Sequence, residues 1–131
     1  MKNFPDKKVR HGLLTALIID DTAAVRRYIK YLLRQMGVEQ VMEAADGISG
    51  SRLFEQHHPG LIFLDIQLPD INGKQLLRQF RQQRNDAAIF IVSAFSSIEN
   101  LQQAVEYGAT AFVVKPFTAT RIYTLVKPLI Y

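Results

Sequence analysis

Leu61-Ile62-Phe63-Leu64-Asp65-Ile66-Gln67-Leu68-Pro69 is the stretch on which the fold turns. Four apolar residues run directly into a carboxylate, and Leu68-Pro69 followed by Asp70 to Gly73 reads as a turn. A short apolar run of this kind fits a strand buried on both faces, as in a parallel sheet. Pro69 has no N–H to give a ladder, so the strand ends before it. Asp65 then falls at the carboxyl end of a buried strand, where open α/β sheets place their ligands. An ionised group there is costly unless a partner offsets it, and the remaining sequence supplies candidates for that partner.

On the amino-terminal side, Leu13 to Ile19 reads as a strand ending in Asp20-Asp21. Val25, Ile29, Leu32 or Leu33, and Met36 recur at helical spacing, which predicts a helix over Thr22 to Met36. Asp21 or Thr22 can cap its start and Gly37 can close it. Val38 to Ala44 predicts a second strand, and Asp46-Gly47 turns into a helix from about Ile48 to His57, broken by Pro59-Gly60. Beyond the opening stretch, Lys74 to Gln83 predicts a helix through Leu76, Leu77 and Phe80, and Ala87 to Val92 a strand reaching Ser93. Ser97 to Tyr107 predicts a helix with Ile98, Leu101, Ala104 and Val105 inward, closed by Gly108. Ala109 to Val114 is the fifth strand, ending at Lys115-Pro116, where a cis bond is one way to set the turn. Thr118 caps a last helix with Ile122, Leu125, Val126 and Leu129 inward, and Pro128 should kink or shorten it. Five strand–helix units with short connections imply an α/β fold with a parallel sheet and helices on both faces.

The 131 residues suit one domain over 13–131, preceded by a flexible basic leader over 1–12 that holds Lys2, Lys7, Lys8 and Arg10. The leader has no apolar core of a secretory signal, and no apolar run approaches the length of a membrane span. The chain has no cysteine, which excludes disulfides and thiolate metal sites and fits a cytoplasmic location. The net charge is +4, with Arg26, Arg27, Lys30 and Arg34 on one helix and Lys74, Arg78, Arg81 and Arg84 on another. Such sets are first of all the solvated faces of amphipathic helices. No base-stacking aromatics are interleaved with them, which weighs against nucleic acid. His57 and His58 are adjacent on a helix end and point about 100° apart, a poor chelating pair.

Parallel strands align their carboxyl ends on one edge. Asp20 and Asp21 from the first strand, Asp65 from the third, Ser93 from the fourth and Lys115 from the fifth therefore arrive together. Three carboxylates in one place repel unless a cation intervenes, and oxygen-rich sites select hard cations such as Mg²⁺. Lys115 adds a positive charge suited to a phosphoryl oxygen, and Ser93 a hydroxyl donor. Charge neutralisation and positioning are most of what phosphoryl transfer asks of a protein, and a carboxylate is an established covalent acceptor.

Ile19-Asp20-Asp21, Leu64-Asp65-Ile66-Gln67-Leu68-Pro69 with Gly73, Ile91-Val92-Ser93-Ala94, Gly108-Ala109 and Lys115-Pro116-Phe117 occur in this order over about residues 13 to 130. In this the chain resembles the receiver domains of two-component response regulators. The resemblance implies a flavodoxin-like, doubly wound (βα)5 fold with strand order 2-1-3-4-5 and the site at its switch point. It implies that Asp65 takes phosphate from a sensor histidine kinase or a histidine phosphotransfer protein. Asp21 would then bind Mg²⁺ directly and Asp20 mainly through water, with Asp65 and the backbone carbonyl of Gln67 as further ligands. Lys115 would pair with the phosphoryl group, and Ser93 would hydrogen-bond it. Phe112 would be the aromatic switch. The face made by the fourth helix, fifth strand and fifth helix would pass the change to an output protein or domain, and a homodimer stays open. Such a chain is a phosphoacceptor that promotes its own phosphotransfer and dephosphorylation, not a conventional enzyme. The alternatives are a phosphate-independent interaction scaffold and the receiver portion of a DNA-binding regulator. Thr120-Arg121 and Pro128 in the last helix depart from the acidic and Arg-rich pattern of DNA-binding relatives.

Three further expectations come from departures and surface charge. Gly50 and Ser51 replace larger apolar residues, so the second helix should pack loosely. Phe95 and Gln67, each two residues past a site residue, should flank the path of an attacking water. The first-helix stripe of Arg26, Arg27, Lys30 and Arg34 is the expected contact for the phosphodonor.

Overall fold

The computed structural model describes residues 14–130, so the leader expected over 1–12 lies outside the described residues. Five parallel strands form one sheet: β1 (Ala16–Ile19), β2 (Val41–Ala44), β3 (Leu61–Leu64), β4 (Ala88–Ser93) and β5 (Ala111–Val114). Their order is β2-β1-β3-β4-β5, as expected. The crossovers are helices α1 (Ala23–Gln35), α2 (Gly47–His57), α3 (Gly73–Gln83) and α4 (Ile98–Glu106), and α5 (Ala119–Ile130) follows β5. All of β1, β3 and β4 is buried, which is why these segments read as near-continuous apolar runs.

The sheet divides the core in two. Ile18, Phe63, Phe90, Val92 and Val113 point to the side covered by α1 (Ile29, Leu33) and α5 (Ile122, Val126). Leu17, Ile19, Ile62, Leu64, Ile89 and Ile91 point to the side covered by α2 (Phe54), α3 (Leu76, Leu77, Phe80) and α4 (Ala104). Phe54 and Phe80 stack with centroids 4.1 Å apart and join α2 to α3.

Several expectations need correction. The strands are shorter at their starts than the apolar runs suggested: β2 begins at Val41 and β5 at Ala111. α5 runs past Pro128 to Ile130. The proline stands near the helix end, where few turns remain to be disturbed. Of the four apolar residues expected inward on α4 only Ala104 is buried, while Ile98 and Val105 are 74% and 75% exposed. α2 is not loosely packed at Gly50. A Cβ there would meet Ile19 Cδ1 at 2.5 Å, so the glycine permits close approach of the helix to β1. The bond Lys115–Pro116 is cis.

At the outer edge of β5, the Arg121 guanidinium donates to the Phe112 carbonyl at 3.1 Å. The cations of α3 serve as intramolecular ties. Arg81 donates to the carbonyls of Gly108 (2.9 Å) and Ala87 (2.7 Å), and Arg84 pairs with Asp86 at 2.9 Å. Arg78 lies over the Tyr107 ring.

Candidate functional site

The parallel register brings the ends of β1 and β3 level, with Ile19 opposite Leu64. Asp20 and Asp65 follow those two residues directly, and the Asp65 N–H donates to the Ile19 carbonyl at 3.0 Å. Both side chains are buried, Asp20 at 2% and Asp65 at 6% exposure, whereas Asp21 is exposed. Oxygens of Asp20, Asp21 and Asp65 lie within 4.8 Å of one another, a grouping able to hold a metal ion.

Lys115, at the end of β5, reaches across the sheet edge to both buried acids. Its Nζ donates to Asp20 Oδ2 at 2.7 Å and to Asp65 Oδ2 at 2.9 Å. The remaining oxygens are also used: Thr22 N–H donates to Asp20 Oδ1 (2.8 Å) and Gln67 N–H to Asp65 Oδ1 (3.2 Å). Burial nevertheless holds the Asp65 carboxyl above the usual carboxylate range, with the Asp20 charge adding to it and the Lys115 bond opposing it. Burial also pulls on the Lys115 ammonium, but its bonds to Asp20 and Asp65 outweigh that and raise its pKa. One ammonium thus balances only part of the charge on three carboxylates, and Asp21 pairs with no lysine or arginine among the described residues. That all-oxygen donor set with residual negative charge fits a hard divalent cation.

The loops frame this cluster. After Asp65 the chain folds through a Gln67–Asn72 bridge, and Gly73 N–H donates to the Ile66 carbonyl at 2.7 Å. A Cβ on Gly73 would stand 1.9 Å from the Asp65 carbonyl oxygen, so glycine lets α3 start directly against the site. Asp70, read from sequence only as a turn residue, accepts from the N–H groups of Gly47 (2.8 Å) and Ile48 (2.9 Å), which pins this loop to the start of α2. The backbone bonds to Gly47 and Ile48 lower its pKa. On the opposite side Ser93 is fully buried and its Oγ accepts from Phe95 N–H at 3.1 Å. Phe112, half-buried, packs into the core layer on the same side of the sheet as Ile91. An open cleft of about 610 Å³ leads to the acids, lined among others by Asp21, Gln67, Lys74, Phe95 and Asn100. Phe95 and Gln67 therefore line the same cleft as Asp21.

The α1 stripe does not stay together. Arg26 turns inward: its Nε pairs with Glu43 at 3.1 Å and its Nη1 donates to the Asp20 carbonyl. Lys30 pairs with the other Glu43 oxygen at 3.3 Å. Only Arg27 and Arg34 remain exposed, beside Tyr31. Glu43 and Asp70 were missed as contributors because their partners are far away in sequence. The one local hint was an acidic residue interrupting the apolar run of β2.

Comparisons with known proteins agree with this geometry. Residues 16–127 match the family model described as the response regulator receiver domain. The chain is 36% identical over 106 residues to a chemotaxis protein CheY of Bacillus subtilis, covering 81% of this chain and 88% of that protein. It is 31% identical over 111 residues to a probable transcriptional regulator ycf27 of Porphyridium aerugineum, but spans only 45% of that longer protein. A CheY-like receiver domain crystal structure from Methanospirillum hungatei superposes with a TM-score of 0.83 at 28% identity, covering 88% of this chain and 92% of that one. The fold, the acidic cluster beside an edge lysine, and the match over nearly all described residues have one common explanation: this chain belongs to the receiver domains of response regulators.

Proposed function

We propose that Asp65 is the phosphoacceptor of this domain, taking a phosphoryl group from a phosphohistidine on a sensor kinase or a phosphotransfer protein. A carboxylate oxygen of Asp65 attacks phosphorus, the P–N bond breaks, and the histidine leaves as imidazole after gaining a proton. The observation that carries this is the Lys115 ammonium held between Asp20 and Asp65, with Asp21 beside them and in no salt bridge among the described residues. Lys115 is already placed where a phosphoryl oxygen on Asp65 would need a counter-charge.

Asp21 and Asp65, with the Gln67 carbonyl and Asp20 through water, would hold Mg²⁺, whose role is to neutralise charge on the transferring group. Ser93 contributes a hydroxyl donor to a phosphoryl oxygen once the β4–α4 loop closes, and Phe112 turns inward with it. That bias reshapes the face of α4, β5 and α5 for an output protein or domain. The exposed Arg27 and Arg34 of α1 are the proposed contact for the phosphodonor, a smaller set than the sequence suggested. No helix among the described residues is long and apolar enough to cross a membrane.

The test is intact mass after treatment with a small-molecule phosphodonor and Mg²⁺. Wild type should gain one phosphoryl group and Asp65→Asn none. A scaffold that works without phosphate would leave both unmodified. Amide spectra with beryllofluoride and Mg²⁺ should shift beyond the pocket, into α4 and β5. Arg27→Ala with Arg34→Ala should slow transfer from a protein donor and leave the small-molecule reaction unchanged.

A further inference from the structure

The acidic cluster sits on a peptide that something must hold in place. Asp21 is exposed and follows a buried residue at the point where β1 gives way to α1, so its position depends on the Asp20–Asp21 peptide. The Asp20 N–H is bonded to the Ala44 carbonyl of β2, and its side chain is held by Thr22 N–H and Lys115. The Asp20 carbonyl is taken by a side chain: Arg26 Nη1 donates to it, while Nε of the same guanidinium is bonded to Glu43 Oε1 on β2. Lys30 holds the second Glu43 oxygen, so the carboxylate is fixed at both ends. Arg26 and Glu43 side chains are 16% and 27% exposed, partly shielded from water. The planar fork of an arginine bridges two acceptors in fixed geometry, which a lysine ammonium does not.

We infer that Arg26, anchored by Glu43, is a positioning residue that presets Asp20 and Asp21 for a divalent cation. The inference rests on the proposed role of the acidic cluster in holding Mg²⁺. Arg26 can affect that cation in two opposite ways. Its positive charge repels a second cation, and its grip on the carbonyl spares the loop the cost of ordering when the ion binds. The geometry favours the grip, because Glu43 offsets part of the guanidinium charge on one side and the Asp20 carbonyl takes its other arm.

The two effects predict opposite signs. Mg²⁺ is titrated into the unphosphorylated full chain and followed by the amide resonances of Asp21 and Gln67. Asp21→Ala gives the loss expected from removing a ligand. Arg26→Met should weaken Mg²⁺ binding about tenfold. Glu43→Ala, which leaves the Arg26 charge but removes its anchor, should weaken it about threefold. Arg26→Lys should not restore the affinity. Arg52→Met, the same charge loss at an exposed position of α2, should stay within about twofold of wild type. The Glu43→Ala variant keeps the test open should Arg26→Met fail to fold, as a dispersed amide spectrum will show. Tighter or unchanged binding by Arg26→Met while wild type binds, or unchanged binding by Glu43→Ala should Arg26→Met not fold, overturns the positioning role and leaves the site assignment intact. Wild type that binds no Mg²⁺ overturns the site assignment and this inference together.

Discussion

The two walls of the site are built differently. The β3–α3 side is fastened by backbone contacts and apolar packing: Gly73 against the Asp65 carbonyl, Asp70 on the first amides of α2, and Leu76, Leu77 and Phe80 buried beneath. On the β4–α4 side Ala94 to Ser97 are exposed, and α4 buries only Ala104. That side is held largely by polar side chains. Asn100 Nδ2 donates to the Phe95 carbonyl at 3.0 Å, and Lys74 Nζ donates to Asn100 Oδ1 at 2.8 Å and to Gln103 Oε1. Regions with few buried apolar contacts open at low cost. The comparison teaches that the wall beside Asp65 is fixed by packing, whereas the wall beside Ser93 rests on few buried apolar contacts and on hydrogen bonds between side chains.

The largest effect that can break this contrast lies on the fixed wall. Phe80→Ala removes a fully buried ring stacked on Phe54 and should cost about 3–5 kcal/mol in urea unfolding. Gly73→Ala should cost about 2 kcal/mol or more, since the added methyl meets backbone rather than a movable side chain. Stability equal to wild type would show that the α3 start is not held by that contact.

Asp65→Asn should melt a few degrees higher than wild type in the absence of divalent cations. Burial raises the Asp65 pKa above 3.8, so the native state binds the proton more tightly than the unfolded state. Stability therefore falls as pH rises from 3.8 through the raised native value, and stays lower above it. The advantage of Asn should be full at neutral pH and vanish below pH 3.8, as thermal melts across that range will check. On the β4–α4 wall, Phe95→Ala should shorten the phosphoprotein lifetime about threefold, some 0.6 kcal/mol of barrier. An unchanged half-life would remove the ring from the path of water. The smallest effect belongs to α4 itself: Ile98→Gln and Val105→Gln should each change stability by less than about 0.5 kcal/mol. A larger loss would mean that α4 is packed as firmly as α3.

The fold was legible because buried parallel strands announce themselves as unbroken apolar runs, and because Asp46, Gly37 and Gly108 punctuate the helices as local chemistry requires. The acidic cluster was legible for a topological reason. Strands running in one direction present their last residues together, so the ends of the apolar runs alone bring Asp20, Asp65 and Lys115 to one edge. Helical spacing reports that Ile98 and Val105 share a face, but not whether another element covers it. The cations of α1 and α3 looked alike in sequence, yet Arg26 is committed to Glu43 and the Asp20 carbonyl while Arg27 faces outward. That difference depends on an acid on a neighbouring strand, and no local pattern encodes it. Gly50 misled for a similar reason, since its missing side chain reflects the nearness of Ile19 rather than a void.

The arginine on the rim of the sheet has one more consequence. β5 is an edge strand, and an uncovered edge is a template onto which another polypeptide can add a strand. Arg121 stoppers the Phe112 carbonyl on that border. A newcomer extending the sheet there must first displace a charged group from its acceptor, which disfavours strand addition on this flank.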